Sequence, residues 1–172
     1  MKFIFLLFIL SISSVHAQNI LELRKQFYSA STNSDEADKF YSSFKNAPKS
    51  SLPIIIGYKG IAAFMICNHS YNPYKKIKYF SEGKSNLDNA IKLSLENIEL
   101  RFLRFSVQSN SPDFIGYKNN LLEDKNLIIK AISTSEFKKK DADLFTRITN
   151  FLLESDNISS SEKAKIKNSI SL

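Results

Sequence analysis

Apolar residues recur along this chain at intervals of three and four, and no alternating apolar and polar run competes with them, so the pattern predicts an all-α protein. In "NILELRKQFYSAS", Ile20, Leu23, Phe27 and Ala30 line one helical face. "SDEADKFYSSFKNA" opens at Ser34 with Asp35 and Glu36 in its first turn, where acids suit the helix dipole, and stops before Pro48. "LPIIIGYKGIAAFMICNHS" is apolar almost all round behind Pro53 and reads as the central buried helix. Its Gly60, Ala63 and Cys67 form a stripe of small side chains along which a second helix can come close.

Asn72 and Pro73 mark the next helix start, and Gly83 reads as its end. Ser85, with Asp88 three residues on, then resembles a capping box, so the stretch predicts a helical hairpin with a tight turn. In "LENIELRFLRFSVQSN", Ile98, Phe102 and Phe105 fall on one face while Leu100, Leu103 and Val107 fall on nearly the opposite one. A helix with two apolar faces belongs between two layers. One polar edge between those faces carries Arg101, Arg104 and Gln108, the other Glu99 and Ser106, and Pro112 ends the helix. Leu121, Leu122, Ile128, Ile129 and Ile132 make the next stripe, and Leu144, Phe145, Ile148, Phe151 and Leu152 another. A weakly amphipathic tail, "SSEKAKIKNSI", is expected to fray. The whole is about eight helices in antiparallel hairpins, a layered or repeat-like bundle.

The first residues change the picture of where this bundle resides. Lys2, the apolar run Phe3 to Leu10, and the small residues Val15 and Ala17 have the pattern of a cleaved export signal. The run is too short for a membrane span, which needs roughly 20 residues. Cleavage after Ala17 leaves a single all-helical domain over 18–172, with a periplasmic or secreted location expected. Cys67 is the one cysteine, so no internal disulfide is available and packing must hold the fold. A formal net charge of +7 would point to nucleic acid in a cytosolic protein. After export the fitting partners are another envelope protein or an acidic surface, such as anionic lipid, and not nucleic acid. The lysines at 75, 76 and 78, at 138 to 140, and at 163, 165 and 167 read mostly as solvated helix surface.

Recognisable catalytic chemistry is sparse. There is no Gly-rich phosphate loop, nucleophile elbow or two-histidine zinc motif, and no cofactor is implied. His69, the one histidine after the signal, stands two residues from Cys67 on another side of its helix, so the pair cannot serve one metal. Arg101 and Arg104 are the sharpest feature: three residues apart, their guanidinium groups can point the same way and suit a carboxylate or phosphate. A binding site for an anion or a partner would be lined by Arg101, Arg104 and Gln108. The competing structural reading, which has the greater weight, pairs both arginines with acids on adjacent helices, drawn from Glu82, Asp88, Glu123 and Asp124. A second cluster, Tyr58, Tyr71, Tyr74, Tyr79 and Tyr117, could form an aromatic recognition surface.

From Tyr58 to Asp124, with "YKGIAAFMICNHSYNPYKKIKYFSEG", "ENIELRFLRFSVQ" and "PDFIGY", the chain resembles a group of uncharacterised exported helical proteins of Gram-negative bacteria. The resemblance covers a little under half of residues 18–172 and implies export and a helical fold, with no catalytic residue. Likeness to tetratricopeptide hairpins is weak. Of Gly83, Leu87, Ala90 and Leu95 only Ala90 is the residue that repeat expects, and no 34-residue period is visible.

Taken together, these features predict an exported helical binding or scaffold protein. The alternatives are an envelope enzyme, with Arg101, Arg104, Glu99 and His69 as its only candidate groups, and a protein that binds an anionic surface or lipid. The last requires the lysines of 75–78 to share a face with exposed apolar side chains.

Overall fold

A computed structural model describes residues 20–46 and 52–171. These residues form nine α-helices and no strand, so the all-α expectation holds. They are α1 (20–32), α2 (Ser34–Ser43), α3 (Pro53–His69), α4 (Pro73–Leu93), α5 (Ile98–Asn110), α6 (Leu121–Ile132), α7 (Ser135–Lys140), α8 (Ala142–Glu154) and α9 (Ser160–Ile170), with a 3-10 turn at Asp113–Ile115. The chain divides into two compact units, residues up to Asn86 and residues from Leu87 onward, with the division falling within α4. The export-signal reading rests on residues outside the described ones.

In the first unit, Asn33, one residue before the expected Ser34, caps α2 by accepting from the Asp35 and Glu36 amides at 2.9 and 3.1 Å. Helix α2 packs on α3, placing Ala37 and Phe40 in the core. Helix α3 begins at Pro53 and buries Ile54, Tyr58, Ile61, Ala62, Ala63 and Phe64, as an all-round apolar helix must. Asn72 caps α4 as expected, accepting from the amides of Tyr74 and Lys75.

The predicted hairpin at Gly83 does not form, because α4 runs unbroken from Pro73 to Leu93. Gly83 serves close approach rather than helix termination. A Cβ there would lie 2.8 Å from Phe64 Cδ2 and 2.9 Å from the Gly60 carbonyl oxygen, so only glycine lets α4 reach α3 at this point. Gly60, from the small-residue stripe, is the other half of that contact. Around it Phe64 meets Phe80 edge-on, Tyr41 meets Tyr79 edge-on, and the Tyr41 hydroxyl donates to Glu82 at 2.9 Å.

The second unit is built on one cluster: Phe102, Phe105, Ile128, Ile132, Leu144, Phe145, Ile148, Leu152, Ile158 and Ile166. Helix α5 packs on α6 and α8, and α9 on α6 and α8. Within the predicted α6 stripe, Ile128 and Ile132 are buried but Leu122 is exposed. The tail expected to fray docks as α9. Ser159 and Glu162 close a full capping box, Ile166 is buried, and Lys125 bridges to Glu162 at 3.0 Å. Lys138, expected as solvated surface, belongs to the short α7; its Nζ donates to the Ile170 carbonyl at 2.8 Å and stands over the Phe145 ring.

Candidate functional site

The two candidate arginines project from successive turns of α5, whose register is set by Asn97 accepting from the Leu100 amide at 3.1 Å. They converge on Asp124 in the first turn of α6. Asp124 is fully buried and accepts three charge-assisted bonds: from Arg101 Nη1 at 2.9 Å, Arg104 Nε at 2.7 Å and Arg104 Nη2 at 2.9 Å. Arg101 Nη1 also donates to Glu123 at 2.8 Å, and its Nε donates to the Leu95 carbonyl at 3.0 Å, tying down the turn before α5. Arg104 Nη1 approaches Asp88 of α4 at 3.5 Å.

A fourth element completes the cluster. Gly116 adopts φ 68°, a left-handed conformation that ends the 3-10 turn and that a Cβ disfavours. The next residue, Tyr117, is buried and donates its hydroxyl to Asp88 at 2.9 Å. Asp88, Arg101, Arg104, Tyr117, Glu123 and Asp124 thus form one network. Burial opposes the charge of Arg104, but its bonds to Asp124 and the charges of Asp124 and Asp88 outweigh that cost and hold it above the usual arginine range. Burial, followed by the charge and hydrogen bond of Asp88, pushes the Tyr117 hydroxyl well above the usual tyrosine range. The Arg101 hydrogen bond holds Glu123 below the usual carboxylate range.

A cleft of about 310 Å³ opens over this network, lined by Asp88, Ile91, Lys92, Leu95, Arg101, Arg104, Asn120 and Glu123. The structure therefore brings Arg101 and Arg104 to one cavity. Gln108 is absent from that lining: it is fully buried one turn beyond Arg104, and neither atom of its carboxamide has a hydrogen-bond partner. Two guanidinium groups meet three carboxylates here, so the network carries no surplus positive charge to draw an anion. Adding Lys92 of the cleft wall to the network, with the buried Asp124 included, brings the whole set only to balance. Of the acids named from sequence as arginine partners, Asp88, Glu123 and Asp124 are in contact with them, whereas Glu82 is held by Tyr41. Both acids on the cleft wall are already engaged by an arginine, which leaves no free general acid or base among them.

The other candidates separate. His69 Nε2 lies 2.9 Å from the Ala30 carbonyl, joining the end of α3 to α1. Cys67 is half-buried, and burial pushes its thiol up, away from a reactive thiolate. No group of three metal-ligating side chains occurs among the described residues. The five tyrosines do not form one surface. Tyr58 and Tyr117 are core residues, Tyr79 is half-buried, and only Tyr71 and Tyr74 are exposed.

That exposure belongs to a feature composed of other residues as well. From Tyr71 to Lys78 every residue is exposed, with Tyr74 at 83% and Ile77 at 70%. Tyr74, Ile77 and Lys78 share one face of α4, with Lys75 at its border, opposite the side on which Gly83 meets α3. Among the described residues no helix is long and apolar enough to cross a membrane. No family model, curated protein or solved structure matches this chain.

Proposed function

We propose that this chain is an exported helical binding protein in which the arginine network of α5 is framework and the outer face of α4 is the recognition surface. The observation that carries the reading is the exposed pair Tyr74 and Ile77 on that face, with Tyr71 exposed just before the helix. Core packing does not explain these side chains, because Tyr79, Phe80 and Gly83 supply the inward contacts of the same helix. Export, to the periplasm or beyond, rests on the pattern of residues 1–17.

The test captures partners from envelope extract with wild type, with Tyr74→Ser/Ile77→Ser and with Arg101→Gln/Arg104→Gln. The reading expects the first variant to melt like wild type and lose its partners. It expects the second to lose stability first. Equal capture by wild type and Tyr74→Ser/Ile77→Ser would remove the recognition surface. An arginine variant that melts like wild type but captures nothing would move recognition to the cleft.

A further inference from the structure

We infer that the occupant of the α4 face is the surface of an anionic lipid bilayer, with Tyr74 and Ile77 entering the headgroup layer, Tyr71 beside them just before the helix, and Lys75 and Lys78 lying against lipid phosphates, while Lys76 turns toward α3. The inference rests on the recognition surface proposed above and names its partner. Three observations carry it. First, the segment has one sign of charge: residues 70–81 contain three exposed lysines and no acid, and the nearest acid, Glu82, is held by the Tyr41 hydroxyl. Second, the apolar row lies among those charges. Lysines alone would suit an acidic polysaccharide equally well, but an isoleucine 70% exposed between them gains only where a low-dielectric layer lies just beneath the charged one. Tyrosine, apolar in body and polar at its tip, suits that boundary. Third, the face is preorganised. Asn72 caps the first turn, and the Phe64–Phe80 and Tyr41–Tyr79 contacts hold the opposite side of α4, so little ordering remains to oppose binding. The geometry describes a helix lying on a membrane, in keeping with the absence of a spanning helix among the described residues.

The experiment is co-sedimentation of the protein recovered after export with vesicles of phosphatidylglycerol and phosphatidylcholine, and with phosphatidylcholine alone. Wild type is expected on the anionic vesicles only, with binding falling steeply as salt rises. Each lysine near an anionic surface contributes roughly five-fold in affinity, so Lys75→Gln/Lys78→Gln is expected to weaken binding roughly 25-fold. Tyr74→Ser/Ile77→Ser is expected to weaken it roughly ten-fold through lost apolar insertion. These side chains are exposed, so both variants are expected to unfold at the wild-type urea midpoint. Absence of wild-type binding, or equal binding by wild type and both variants, overturns the lipid assignment. If wild type binds no vesicle while Tyr74→Ser/Ile77→Ser still loses partner capture from envelope extract, the partner is a protein and the binding reading survives. If capture is also unchanged, both fall.

Discussion

Two basic features of this chain behave in opposite ways. On α5, Arg101 and Arg104 are drawn into the interior, where Asp124 takes three of their N–H bonds and Glu123 and Asp88 take others. On α4, Lys75 and Lys78 are exposed beside Tyr74 and Ile77. The difference follows from what surrounds each charge. A charge between two apolar faces must be neutralised where it stands, and once neutralised it has little left to offer a ligand. A charge on an exposed helical face keeps its field and can act on a partner. The more conspicuous pair in the sequence is therefore tied into the fold, and the less conspicuous cluster is the surface proposed for recognition.

The comparison breaks most readily at Asp124. Asp124→Asn removes the shared acceptor charge and leaves two guanidinium groups without it, at an expected cost of about 3–5 kcal/mol in urea unfolding. Gly83→Ala tests the inward side of α4. The new methyl would crowd backbone as well as a ring, and overpacking of about 1–3 kcal/mol exceeds the roughly 1 kcal/mol gained in helix propensity, so a lower melting temperature is expected. Gln108→Met keeps the volume but removes a buried amide that has no partner. A gain of about 1–2 kcal/mol is expected, showing that the arginine edge is satisfied at Arg101 and Arg104 but not one turn later.

The tyrosines that anchor each feature give a pH signature. Burial first, then the hydrogen bond and charge of Glu82, pushes Tyr41 up to about 12, and Tyr117 is raised in the same sense. The native state therefore keeps protons that the unfolded chain releases above pH 10. The stability these groups contribute is complete below pH 10 and is lost as pH rises through the native values. Urea midpoints measured from pH 9 to 12 should fall, and the Tyr41→Phe variant should fall by less, by about 1 kcal/mol or under once solvent screening of this partly exposed hydroxyl is allowed for. The smallest expected effect belongs to Lys75→Gln/Lys78→Gln, within about 0.5 kcal/mol of wild-type stability.

Much of this arrangement was legible from local signals. Pro53, the Asn72–Pro73 pair, Asn97 and Pro112 mark true helix limits because caps and prolines act within a turn of where they stand. The acids available to the arginines could be named from helical neighbourhood, and three of four are in contact. The role of Gly83 is not local, because a glycine that ends a helix and one that admits a neighbouring helix look alike until Gly60 and Phe64 are placed beside it. Helix α7 leaves little local signal, because Phe137 is its only apolar residue and Thr134 makes no side-chain capping bond. The tyrosine cluster was grouped by type, whereas burial depends on tertiary neighbours: Tyr58 faces a core and Tyr74 faces water. Depth was equally hidden at Gln108, which pattern placed on a polar edge and packing buried completely.

The most direct measurement is urea unfolding of Asp124→Asn beside Lys75→Gln/Lys78→Gln in one buffer. A midpoint that drops sharply for Asp124→Asn and stays at the wild-type value for the lysine variant is the predicted result. Equal midpoints, or a larger drop for the lysine variant, would contradict the division between a structural arginine network and a free basic surface.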